Sequence, residues 1–288
     1  NYFVERGAAV LPPSPAHAHV DGPMYVYLPD ELLLAEEDRS ATERLLGDAF
    51  RGRGARPVPP GLATIRLAPG RDAFAMATEL VVEGRRVAAP HMVLTPGTHW
   101  SWGSATDPTP APPLGAATMN NGGHHVAVVD TGMFQPIPAG LGVGIFEPDP
   151  VDVQAPVGFV DWFGAGHGGF VAGVIDHHAK GAMIDVYRGF DASVKTPTET
   201  AIISAVDRAL AGGANVVNLS VGTYGAFGDP PVGLLHAMRR WQRSHSELLI
   251  VAAAGNDGLS DPWYPAGFAG MPEFAEWVVS VGATDSKG

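Results

Sequence analysis

A chain of 288 residues, 45% of them hydrophobic, is long enough for one large domain or for a small domain beside a medium one, and it has no apolar run long enough to cross a bilayer. Its net charge of −12 argues against nucleic-acid binding, which needs a basic face. The absence of cysteine excludes disulfides, thiolate metal sites and a cysteine nucleophile, while leaving the compartment open.

Residues 1–22 contain proline and histidine without periodicity and read as an irregular arm. Residues 23–97 read as β-α-β-β-α-β, a small α+β unit of ferredoxin-like order. Its first strand is "MYVYLP". A helix over "SATERLLGDAF" follows, with Ser40 at the N-cap and Glu43 three residues on, the spacing of a capping box. "ARPVP" and "LATIRLAPG" pattern as a hairpin, "RDAFAMATELVVEG" as a helix and "RRVAAPHMVL" as the last strand. Residues 98–124 are proline-rich and read as a linker containing Trp100 and Trp102, either covering nearby apolar surface or lying in a cleft.

From His125 onward, apolar strands alternate with helices. "HVAVVD", "AMIDVYRGF", "NVVNLSVG", "LLIVAAAGN" and "EWVVSVGAT" are the strands; "GGFVAGVIDHH", "TETAIISAVDRALAGG" and "PVGLLHAMRRWQRSHS" are the helices. That alternation predicts an α/β domain, a parallel sheet with helices on both faces, whose active site gathers at the carboxyl ends of the strands.

Three residues at such ends could carry chemistry. Asp130 closes "HVAVVD" and is either a turn cap in D-T-G or a functional carboxylate. The proton-sharing carboxylate pair of an aspartic protease would need a second D-T-G, and the sequence has one. His167 sits among Gly166, Gly168 and Gly169 at the mouth of a helix, where small neighbours let other groups approach the ring. With Asp130 it suggests a base held by an orienting carboxylate, against the plainer possibility of a structural histidine. Asn256 follows "VAAAG" and is either part of the turn "GNDG" or an amide donor to an oxyanion. Ser220 lacks the flanking glycines of a nucleophile elbow and reads as scaffold.

"VAVVDTGM", "GHGGFVAGVI", "VVNLSVG", "VAAAGNDG", "YPA" and "VVSVGATDSKG" occur in the order and approximate spacing of the subtilisin-like serine proteases, and residues 125–288 resemble that family. The resemblance implies Asp130 as orienting carboxylate, His167 as general base and Asn256 as oxyanion-hole donor. It makes Ser220, Val221 and Gly222 one edge of a peptide groove, and Ala252, Ala253, Ala254 and Gly255 the other wall. A peptide or protein substrate would dock there by adding a strand.

Two departures stand out. Gly169 replaces the threonine usual after His-Gly, and the nucleophile motif G-T-S-x-A-x-P is absent. None of the other serines has a supporting motif. The expected domain is therefore subtilisin-like and C-terminally incomplete, with a face to be covered by a further C-terminal segment or a partner chain. Residues 23–97 resemble the I9-type propeptide of the same family, with His91 at a position where that family often has histidine. This implies a folding chaperone and inhibitor whose tail, Thr95 to about Thr106, occupies or leaves the cleft.

No cofactor is required by this reading. Calcium is possible as a structural ion, with Asp149 and Asp152 as oxygen donors, though no loop matches a calcium pattern. The histidine pairs His17/His19, His124/His125 and His177/His178 are weak metal candidates, because sequence neighbours diverge. Family resemblance implies a secreted or extracytoplasmic zymogen, with no nucleic acid partner and no membrane span. The alternatives are a peptide-binding pseudoprotease and a propeptide-type inhibitor or chaperone.

Overall fold

The computed structural model describes residues 9–11, 25–54, 58–82, 123–137, 139–153, 166–189, 198–225, 229–255 and 260–283. Asn256, His91, Trp100, Trp102, the stretch 95–106 and the strand expected over 85–94 lie outside these residues.

The N-terminal part contains β1 (Ala9–Leu11), β2 (Tyr25–Tyr27), β3 (Glu31–Ala35), α1 (Arg39–Leu46), β4 (Phe50–Arg53), β5 (Leu62–Leu67) and α2 (Ala73–Val82). The strand expected over "MYVYLP" is short and pairs antiparallel with β1, inside the stretch read as an irregular arm. Beyond a turn through Pro29 and Asp30, "ELLLA" forms β3, at one edge of the antiparallel sheet β3-β5-β4. The capping box at Ser40 does not form. The helix grows directly out of a 3-10 turn at Glu36–Asp38, and Glu43 lies 3.7 Å from Arg39 instead.

Strand periodicity makes this sheet a shared wall. Leu32 and Leu34 of β3, with Ala63, Ile65 and Leu67 of β5, pack on Leu46 of α1 and on Met76, Ala77 and Leu80 of α2. Leu33 and Leu62 point the other way, into the core of the second part.

That second part comprises β6 (His125–Asp130), β7 (Met133–Gln135), β8 (Val143–Phe146), β9 (Pro148–Val153), α3 (His167–His178), β10 (Met183–Arg188), α4 (Glu199–Ala211), β11 (Val216–Leu219), β12 (Thr223–Tyr224), α5 (Val232–Ser244), β13 (Leu249–Ala253), β14 (Trp263–Tyr264) and β15 (Val278–Val281). Six strands form one parallel sheet in the order β15-β13-β11-β6-β10-β8. Every residue of β6 is buried, as a central strand covered on both faces requires. On one face, Ala127, Val129, Val217, Leu219, Ile250 and Ala252 pack against α4 and α5, with Trp241 at 1% exposure. On the other, Val128, Ile184 and Val186 pack against Ala172 of α3 and Met133.

Among the described residues, α3 covers only half of that second face. On β11 and β13, residues alternate between buried and half-buried, and the half-buried set, Val216, Asn218, Leu249, Val251 and Ala253, faces the same way as Val128. Val279 and Val281 of β15 are 44% and 48% exposed. The α/β class and parallel sheet expected from the alternating pattern are present. Among the described residues, no helix is long and apolar enough to cross a membrane.

Candidate active site

The carboxyl ends of β6, β11 and β13 lie side by side, because Val128 pairs with Asn218 and Leu219 with Ala252. Asp130 ends β6 with no exposed surface. Its backbone carbonyl accepts the Gly189 N–H at 2.7 Å, and its carboxylate accepts the Thr131 N–H at 2.7 Å. His167 opens α3 immediately after Gly166, whose φ of 78° is a left-handed conformation suited to glycine. The imidazole Nδ1 stands 2.9 Å from both Asp130 oxygens. An ionised carboxylate has only acceptors to offer, so Nδ1 carries the proton and Nε2 keeps its lone pair.

Gly168 makes this approach possible. A Cβ there would lie 2.5 Å from the Gly132 carbonyl oxygen and 3.1 Å from the Asp130 Cβ. Its N–H donates to Thr131 Oγ1 at 3.0 Å. Thr131 therefore binds the carboxylate with its backbone and the residue after the imidazole with its side chain. The sequence reading passed over this threonine. Its signal was a hydroxyl directly after the acid in D-T-G.

Burial works to lower the His167 pKa, but the hydrogen bond and the charge of Asp130 together outweigh it. The imidazole is held above its ordinary 6.5. The arrangement is a base with a fixed tautomer and a partly exposed ring, 25% by side chain.

The two expected groove walls are adjacent at the ends of β11 and β13. Val221 and Ala252 are buried, while Ala253, Ala254 and Gly255 are half-buried or exposed. Ser220 donates to Asn218 Oδ1 at 3.1 Å, along its own strand rather than toward the imidazole. Gly222 packs so closely on the Trp263 indole that any side chain would enter the ring, and β12 pairs antiparallel with β14 beside it.

Among the described residues, no group of three or more His, Asp or Glu converges to hold a metal. His124 and His125 turn apart, while His177 and His178 stay in ring contact. His125 Nε2 is 2.7 Å from Asp185, whereas His124 is exposed, and the rings of His177 and His178 meet edge to face with centroids 5.2 Å apart. The side chains of Asp149 and Asp152, and both His17 and His19, fall outside the described residues.

A family model described as the subtilase family, peptidase S8, matches residues 122–288. The subtilisin-like protease SBT5.5 of Arabidopsis thaliana is 29% identical over 137 residues, which are 41% of this chain and 14% of that protein. Fervidolysin from Fervidobacterium pennivorans, a keratinolytic enzyme related to subtilisin, superposes with a TM-score of 0.55 at 19% identity, over 83% of this chain and 42% of its own. That share exceeds what residues 122–288 make up, so the likeness in fold reaches into the N-terminal part. The chain spans less than half the length of either protein.

Proposed function

The chain belongs to the subtilase family, and from that premise we propose that it is the N-terminal portion of a secreted serine endopeptidase made as a zymogen. The observation that carries the reading is the contact of His167 Nδ1 with both oxygens of a fully buried Asp130, at 2.9 Å each.

The chemistry would be acyl transfer. His167 Nε2 takes the proton of an attacking serine hydroxyl and later returns it to the leaving amine. Asp130 fixes the tautomer and stabilises the imidazolium. Asn256 and a backbone N–H hold the oxyanion. The peptide lies between Ser220–Gly222 and Ala252–Gly255. The serine comes from outside the 288 residues, and its segment, or a partner chain, covers the half-exposed face formed by Val216, Asn218, Val251, Ala253, Val279 and Val281. Residues 23–97 act as the propeptide. In support, Leu33 and Leu62 share one core with Leu234, Leu235 and Met238 of α5. Any calcium would be structural.

The direct test has two parts. The coding sequence is read past Gly288 for an in-frame G-T-S-x-A-x-P, and the propeptide-free product is treated with a fluorophosphonate probe. Labelling of that serine, lost in His167→Ala, is expected. A motif-bearing, propeptide-free protein whose serine stays unlabelled would refute the protease reading. A stop codon directly after Gly288, with peptide binding retained, would favour a pseudoprotease.

A further inference from the structure

Glu147 follows the edge strand β8 and belongs to none of the motifs that mark the site. Its N–H donates to the Val186 carbonyl at 2.8 Å, as the next rung of the β8–β10 ladder. In an uninterrupted parallel ladder the following rung would run from the Arg188 N–H to the Glu147 carbonyl. That carbonyl is already taken by the Met133 N–H at 2.9 Å. The carboxylate of the same residue supplies the missing acceptor: Glu147 Oε2 receives the Arg188 N–H at 2.7 Å.

Both ends of the Asp130–Met133 turn therefore meet at one residue, Met133 at its main-chain carbonyl and the Asp130 end at its carboxylate. Met133 is bound directly. Asp130 is bound through Arg188, its register partner on β10, and through Gly189, whose N–H holds the Asp130 carbonyl at 2.7 Å. Arg208 of α4 locks the carboxylate in place. Its Nε and Nη2 reach Oε1 and Oε2 at 2.8 and 2.9 Å, and Nη2 also donates to the Arg188 carbonyl at 3.0 Å. The side chains of Arg208 and Glu147 are 46% and 30% exposed, so the ion pair itself contributes little to stability. Its consequence is geometric.

We propose that Glu147, oriented by Arg208, is a positioning residue for the Asp130–His167 pair: its carboxylate acts as a surrogate strand carbonyl that holds Arg188, the register partner of Asp130, while its own main-chain carbonyl holds Met133. This rests on the protease reading for its meaning, but not for its test. The titration of His167 reports its distance from Asp130 whether or not the protein cleaves peptides, because only that contact outweighs burial.

The experiment follows the His167 ring protons by NMR against pH in the 288-residue chain, assigned with His167→Ala. In Glu147→Ala the His167 proton affinity should fall by about threefold or more, toward or below the ordinary histidine value. Glu147→Gln keeps an acceptor oxygen for the Arg188 N–H and should titrate close to the wild type. A folded Glu147→Ala chain with unchanged His167 titration, or a Glu147→Gln chain that shifts as far as Glu147→Ala, overturns the proposal. Should Glu147→Ala fail to fold, Arg208→Gln takes its place. It frees the carboxylate from its partner and should shift His167 in the same direction, and a folded Arg208→Gln chain with wild-type titration overturns the proposal equally.

Discussion

His167 and Asp130 are 37 positions apart in sequence, yet the imidazole Nδ1 lies 2.9 Å from each carboxylate oxygen. Replacing Asp130 by Asn keeps the shape and substitutes an amide that can donate. The preferred imidazole tautomer then inverts, and Nε2 carries the proton when it should accept one. On the proposed peptide-hydrolase reading, Asp130→Asn should lower kcat by about four orders of magnitude with little change in KM. Steady-state kinetics on a peptide substrate checks this. A loss of less than tenfold would remove Asp130 from the mechanism.

The raised His167 pKa gives a signed pH dependence. The proposed general base must be neutral, so the acid limb of kcat/KM should lie above the ordinary histidine value of 6.5. Stability runs the other way. A histidine whose folded pKa is raised stabilises the fold fully below its unfolded value, and that contribution disappears as pH rises through the folded pKa. Denaturant midpoints of wild type and Asp130→Asn should therefore converge as pH climbs through that window. Midpoints whose difference does not change with pH would contradict the linkage.

Gly168→Ala separates fold from site. The added Cβ would meet the Gly132 carbonyl at 2.5 Å, where backbone and not a flexible side chain must move. Overpacking of this kind costs about 1–3 kcal/mol. Because the Gly168 N–H also holds Thr131 Oγ1, the His167 titration should fall toward its ordinary value in the same variant. A destabilised variant with wild-type His167 titration would confine Gly168 to a packing role.

The alternation of apolar strands and helices made the parallel sheet legible, and D-T-G and G-H-G mark Asp130 and His167, which meet at its carboxyl edge. What stayed illegible was set by tertiary contacts. Ser40 and Glu43 have capping-box spacing, but a preceding 3-10 turn already feeds the helix start. "ELLLA" lacks the polar alternation of a half-buried strand, since four of its five residues are buried by cores on both faces. Glu147 has no local signature at all. Its role comes from a β8–β10 rung diverted to Met133, 14 residues back in the chain.

Leu33 and Leu34 are neighbours with opposite destinations, both fully buried. Leu34→Ala opens a cavity in the core shared with α1 and α2, whereas Leu33→Ala opens one against α4 and α5. Each should cost about 2–5 kcal/mol. Hydrogen exchange should tell them apart: Leu34→Ala loosens β3, β5 and α2, and Leu33→Ala additionally raises exchange in α5. Equal α5 protection in both would argue against Leu33 as the joint between the two parts.

The same joint carries a titratable group. His236 of α5 packs its Nε2 against the backbone of Gly61, where any side chain would collide with the ring, and where φ of 82° already favours glycine. Burial lowers the His236 pKa, as do the charges of Arg240 and Arg243. Glu37 across the joint and a hydrogen bond with the Pro60 backbone oppose them without prevailing. The docked histidine therefore prefers to be neutral. A depressed histidine pKa favours the docked state fully above the ordinary value of 6.5, and that contribution is lost as pH falls from there through the lower pKa of the docked state. Acidification should then weaken the hold of residues 58–67 on α5. Exchange rates in β5, corrected for the intrinsic effect of pH, should rise in the wild type between pH values of about 8 and about 5. In His236→Gln, which keeps a donor near Pro60 and cannot titrate, that rise should disappear while protection at the higher pH persists. If the variant shows the same pH-dependent rise, the response belongs to another group, and Glu37, the acid that faces the ring, is the next to replace.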